Sequence, residues 1–168
     1  QTPRREAAAR LLRAVAPDVR TTGPPGTAPD VMVLVEHGAA DTPRARILMS
    51  TSVVHLSVVV READVLIGPL VIPGSSACLR CLDLHRTDAD DRWPVLAAQL
   101  AGALAPVGVG EESVLAAIGG ALAAGQVLAQ LAGTVPRPRG AASEVPLPDA
   151  VPRLRDWPVH PGCGCTVL

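Results

Sequence analysis

A chain of 168 residues suits one ordinary domain, and with 48% of its residues apolar a single buried core is expected rather than two. Its 15 basic and 16 acidic side chains nearly cancel, every basic one is an arginine, and phenylalanine and tyrosine are absent. The charge surplus and stacking rings of a nucleic-acid binder are therefore missing, which excludes nucleic acid as the default partner.

The core has to be built from Val, Leu, Ile and Ala, with Trp93 and Trp157 as the only large rings. Such a core depends on close backbone approach. The chain starts at Gln1 without a charged segment, apolar run and cleavage site, and reads as a piece of a longer, soluble, cytoplasmic protein.

Thr2-Pro3 reads as a helix start, and Leu11, Leu12 and Val15 then share one face while Arg4, Arg5, Arg10 and Arg13 fall mostly elsewhere, as on a solvated amphipathic helix. Residues 23–29 carry three prolines and two glycines and form a loop. The apolar run 31–35 after it is expected to be a strand buried on both faces. Asp41, Thr42 and Pro43 cap a short helix to about Ser50. Residues 53–60 and 65–72 are β-branched runs separated by Arg61, Glu62, Ala63 and Asp64, a spacing that predicts a hairpin.

Pro73-Gly74 turns the chain toward Cys78 and Cys81. Residues 94–103 are helical by composition, 106–110 are a break, and 111–132 form the longest helix, with an acidic first turn suited to its dipole. Within it, 114–125 is almost free of polar side chains but is Ala/Gly-rich and falls short of the roughly 20 apolar residues of a membrane span. A buried soluble helix is expected, with Gly119, Gly120 and Gly125 allowing close packing. Beyond Pro136 only 144–147 suggests a strand, at a sheet edge. The order helix, strand, helix, strand, strand, helix, helix, strand is that of an α/β domain with a mixed sheet.

The chemistry is concentrated in Cys78, Cys81, Cys163 and Cys165. A Cys-x-x-Cys pair at the end of a hairpin can aim two thiolates at one centre. Gly164 between the other two lets the backbone take turns a side chain opposes. Together they make a four-sulfur tetrahedron for one structural zinc ion, with bonds of about 2.3 Å and no open position for water. Disulfides are disfavoured without a secretory signal, and Cys163 and Cys165 are awkward to bridge to each other. A redox dithiol would open a helix after a strand and leave the second pair unexplained. Iron is not separated from zinc by spacing. His85 and His160 lie close in sequence, but four thiolates already complete a site, so these imidazoles are expected to support it without ligating.

Asp83, Asp88, Asp90 and Asp91 lack the glycine and glutamate of a calcium loop and are read as turn and cap residues. Gly108-Val109-Gly110 is half of a dinucleotide fingerprint and reads as a turn. No Walker lysine or nucleophile elbow is present, and His55 in a β run reads as a satisfied, half-buried imidazole. Catalysis finds no support in these residues.

The run from Val65 to Gly74, then Cys78-Leu-Arg-Cys81-Leu-Asp-Leu-His85-Arg and Trp93-Pro, closed by His160-Pro-Gly-Cys-Gly-Cys165, resembles the ThiF-like, ubiquitin-activating-enzyme-like domain. More narrowly it is similar to the actinobacterial azole-peptide cyclodehydratase partners, also described as leader-peptide-binding proteins. The resemblance implies a partial ThiF-like, Rossmann-related mixed sheet over 1–168, the C-terminal part of such a domain without its nucleotide loop. It also implies a structural zinc on the four cysteines, a homodimer, and presentation of a precursor peptide to a YcaO-type enzyme. ATP enters only if a nucleotide-binding half lies upstream of Gln1, in which case the chain is an adenylyltransferase fragment. A stand-alone structural module is the third expectation.

Overall fold

The computed structural model describes residues 4–101, 112–134 and 140–166. Along them run α1 (Arg4–Val15), β1 (Met32–His37), α2 (Thr42–Ser50), β2 (His55–Val60), β3 (Asp64–Val71), α3 (Leu79–Ala89), α4 (Trp93–Ala101), α5 (Ser113–Leu131), β4 (Ala141–Pro146) and β5 (Arg153–Asp156). The Thr2-Pro3 helix start, the break at 106–110 with its Gly108-Val109-Gly110, and the acidic Glu111 lie outside the described residues.

The strands form one sheet in the order β1-β2-β3-β4-β5. β1 runs parallel to β2, joined through α2, and every other neighbour pair is antiparallel, so the sheet is mixed as the element order implies. Arg61 holds the β2–β3 hairpin with two hydrogen bonds to the Asp64 carboxylate, at 2.6 and 2.9 Å. α2 begins where its sequence says it should, because Asp41 accepts the Arg44 amide at 2.9 Å and proline occupies the first turn.

Alternation along β2 splits the core in two. Leu56, Val58 and Val60 join Val65, Ile67, Leu70 and Val145 under Leu115 and Ala123 of α5. Leu34, register partner of Ser57, faces the other way and packs with Ala45 of α2 and Leu79 of α3. Leu115 alone, fully buried, contributes roughly 1.5–3 kcal/mol. α5 stays on the sheet because Gly119 has no side chain: a Cβ there would lie 3.1 Å from a Val65 methyl.

Several expectations need correction. β1 is not buried on both faces; it is the sheet's edge among the described residues, with Val33 and Val35 exposed. The strand expected at 144–147 is β4, which is internal, paired to β3 on one side and to the fully exposed β5 on the other. α5 is buried along one stripe only, at Leu115, Gly119 and Ala123, while Val114, Leu128 and Leu131 are exposed. With 19 residues and a mean hydropathy of 1.7 it is also long and apolar enough, by length and composition, to cross a membrane. Gly120 and Gly125 face open space, so only Gly119 serves close packing.

Candidate metal centre

After β3 the chain turns through residues 72–76, where Ser76 Oγ accepts the Ile72 amide at 2.8 Å. The turn delivers Cys78 to the N-cap of α3 and Cys81 to that helix's first turn. α3 itself was not anticipated, because the Cys-x-x-Cys pair reads as the end of a hairpin. The pair does open a helix after a strand, the position expected of a redox dithiol. What sets it apart is the second pair, brought directly onto it.

The tail arrives from β5 through Trp157. It turns tightly at residues 160–165, with the Cys163 amide donating to the His160 carbonyl at 2.9 Å. Gly164 adopts φ +68°, the left-handed conformation its position between the cysteines called for. Cys78 and Cys163 sulfurs then lie 3.5 Å apart, Cys81 and Cys165 3.4 Å, and Cys78 and Cys81 3.9 Å. A tetrahedron with bonds near 2.3 Å has edges of about 3.8 Å, so the four thiols fit one four-coordinate cation. All four are unbridged, and the closest pairs join helix to tail.

The thiol acidities suit the cage to a cation. Burial, reinforced by contact with Cys81, lifts the Cys165 thiol to about 11, and burial with its sulfur neighbours lifts Cys163 further. Cys81 is opposed by burial too, yet backbone hydrogen bonds at His160 and Cys78 and its sulfur neighbours hold it below the ordinary thiol range. Four crowded sulfurs ionise together only around a compensating positive charge.

The imidazoles stand beside this cage, outside it. His160 Nδ1 accepts the Gly162 amide at 3.0 Å, which places its proton on Nε2, and Nε2 donates to Asp88 at 2.8 Å. His85 Nε2 donates to the Pro158 carbonyl at 2.9 Å, and the two rings meet edge-on. Although ligand atoms of His85, Asp88 and His160 lie within 4.8 Å of one another, His160 has no lone pair left for a metal. Both rings pin the tail to α3. His55 is fully buried rather than half-buried and only partly satisfied: its Nδ1 donates to the Val53 carbonyl at 2.8 Å while Nε2 has no partner, and burial lowers its pKa.

A second cluster escaped the sequence reading. Asp83, expected to be a cap, accepts the Thr42 hydroxyl at 2.6 Å and the Trp93 indole at 3.0 Å, tying α2, α3 and α4 together. Asp90 does serve a turn, accepting the Arg92 amide at 3.0 Å. Arg86, one turn on from Asp83, lies 4.6 Å over the Trp93 ring and 5.5 Å from that of Trp157. The i, i+3 spacing of Asp83 and Arg86 was the available signal; nothing local tied it to tryptophans 7 and 71 positions further on.

The fold is an α/β mixed sheet with flanking helices, with four cysteines close enough to bind a metal. Its architecture is shared with E. coli MccB. MccB bound to ATP superposes with a TM-score of 0.65 at 12% identity, over 99% of this chain and 52% of that one. The microcin C7 biosynthetic enzyme MccB in complex with N-formylated MccA gives 0.66 at 12% identity, over 98% and 52%. A heterocyclase in complex with substrate and cofactor gives 0.64 at 18% identity, over 98% of this chain and 23% of that one. The chain thus spans about half the length of MccB. No protein-family model and no curated protein sequence matches it.

Proposed function

We propose that this chain is a zinc-braced ThiF-like scaffold, the C-terminal part of such a domain, that presents a precursor peptide to a separate YcaO-type cyclodehydratase in ribosomal peptide modification. The observation that carries the reading is the sulfur cage: four thiols at tetrahedral spacing tie the tail to α3 and leave a bound cation no position for water. Zinc held there braces the fold, with Cys78, Cys81, Cys163 and Cys165 as its ligands. The two kinds of structural neighbour, MccB with MccA and a heterocyclase with its substrate, support a peptide as the partner. The exposed apolar face of α5, with Val114, Leu128 and Leu131, supports a homodimer. The proposed compartment is the cytoplasm.

Adenylation is the competing reading, favoured by one observation: the chain matches half of an enzyme solved with ATP. The deciding experiment uses the full-length protein with its genomic partner enzyme and precursor peptide. Saturable peptide binding and faster ring formation by the partner, without carboxylate-dependent ATP–pyrophosphate exchange, are the expected results. Exchange activity would overturn the scaffold in favour of an adenylyltransferase.

A further inference from the structure

Beside the C-terminal end of β1, on the sheet face opposite α5, lies a recess of about 20 Å³, lined among others by Gly38, Ser57, Arg61, Arg86 and Trp93. That is space for one small polar group rather than a whole ligand. Its floor is Ser57 of β2, 1% exposed, whose hydroxyl has no hydrogen-bond partner. Such a buried hydroxyl costs free energy unless something comes to it. Gly38 lines the recess and lets α4 pack closely: a Cβ there would come within 2.5 Å of the Leu100 carbonyl at the end of α4.

The charges around the recess are unevenly matched. Arg61 is occupied by Asp64 at 2.6 Å and by Glu144 at 3.5 Å. Asp83 has one oxygen on Thr42 and the other on Trp93. The Arg86 guanidinium makes no hydrogen bond or ion pair with any described residue, although it lies against the tryptophan rings. A guanidinium stacked in this way keeps its edge donors free, in the planar fork that matches a carboxylate. Burial disfavours its charge, and the neighbouring Arg61 and Arg155 oppose it further, against the help of Asp83 and Glu144. An incoming anion offsets these costs.

We propose that this recess is a carboxylate-binding site, with the Arg86 fork as its charged donor and the Ser57 hydroxyl as its neutral one. The site is separate from the sulfur cage. Its use on a peptide rests on the scaffold reading, whereas carboxylate binding itself does not. A carboxylate reaches such a recess from the end of a peptide or from an aspartate or glutamate side chain.

The protein carries its own reporter, since Trp93 and Trp157 are its only aromatic fluorophores and both lie beside Arg86. N-acetylglycine supplies a terminal carboxylate, N-acetylglutamic acid α-amide a side-chain one, N-acetylglycinamide neither, and sodium chloride matches the ionic strength. A saturable change in tryptophan emission is expected with one or both acids and with neither control. The acid that saturates at lower concentration identifies the source. Arg86→Gln weakens the response about tenfold or more, and Ser57→Ala weakens it less. Absence of saturation with both acids, an equal response to the amide, or an undiminished response in a folded Arg86→Gln variant would overturn the proposal. Failure here leaves peptide delivery standing, because these probes are not the precursor peptide.

Discussion

Replacing Cys165 with serine takes one corner from the sulfur cage and weakens the link that a bound ion would make between the tail and α3. The magnitude follows from the loop the cage closes: Cys78 and Cys163 are 85 positions apart, and their sulfurs are 3.5 Å from each other. Cross-linking a loop of that length removes about 4.5 kcal/mol of chain entropy from the unfolded state. For a chain of this size each kcal/mol moves the midpoint by about 2–4 °C, so loss of the brace is expected to lower Tm by about 10–15 °C. The assay is thermal unfolding followed by circular dichroism, on zinc-loaded protein, on the same protein with a strong chelator, and on Cys165→Ser. Chelation should lower Tm in the first and change the variant much less. Bound metal should be one ion per chain by elemental analysis. Equal midpoints with and without chelator, or no bound metal, would refute the reasoning.

Two other outcomes follow from the fold. Gly120 of α5 faces open space and Gly119 faces Val65, so Gly120→Ala should stabilise by about 1 kcal/mol through helix propensity, while Gly119→Leu should destabilise as it lifts the helix from the sheet. Urea unfolding compares them. Glu36 is raised above the ordinary glutamate range, chiefly by burial, and one of its oxygens is unpartnered. The unfolded chain therefore ionises this group first, and stability falls as pH rises above about 4.3. Glu36→Gln should gain on the wild type at neutral pH and lose that advantage near pH 4; a constant difference across that range would refute the assignment.

Much of the fold was legible where local chemistry dictates it. The capped start of α2, the hairpin, the long helix and the cysteine set all carry short-range signals, and α5 even caps itself with Glu112 on the Val114 and Leu115 amides. Periodicity failed where burial is decided by distant partners. The apolar run of β1 looks doubly buried, yet no described strand covers its outer edge. β5, with the sequence Arg-Leu-Arg-Asp, shows no buried face because it has none. α3 was hidden by its own cysteines, which drew attention as ligands rather than as a helix start. The recess was illegible for a related reason: Ser57, Arg86 and Trp93 meet only once the sheet, α3 and α4 have assembled.

The cage also sets an order of events during synthesis. Cys78 and Cys81 leave the ribosome with the hairpin and the start of α3, and they can hold a soft cation loosely as a two-thiolate site. Cys163 and Cys165 emerge more than 80 residues later, after α5, β4 and β5 have been made. Closure around a bound cation would thus come after β4 and β5 have been made, and a nascent chain stalled short of them would expose a pair of thiols to metals and oxidants.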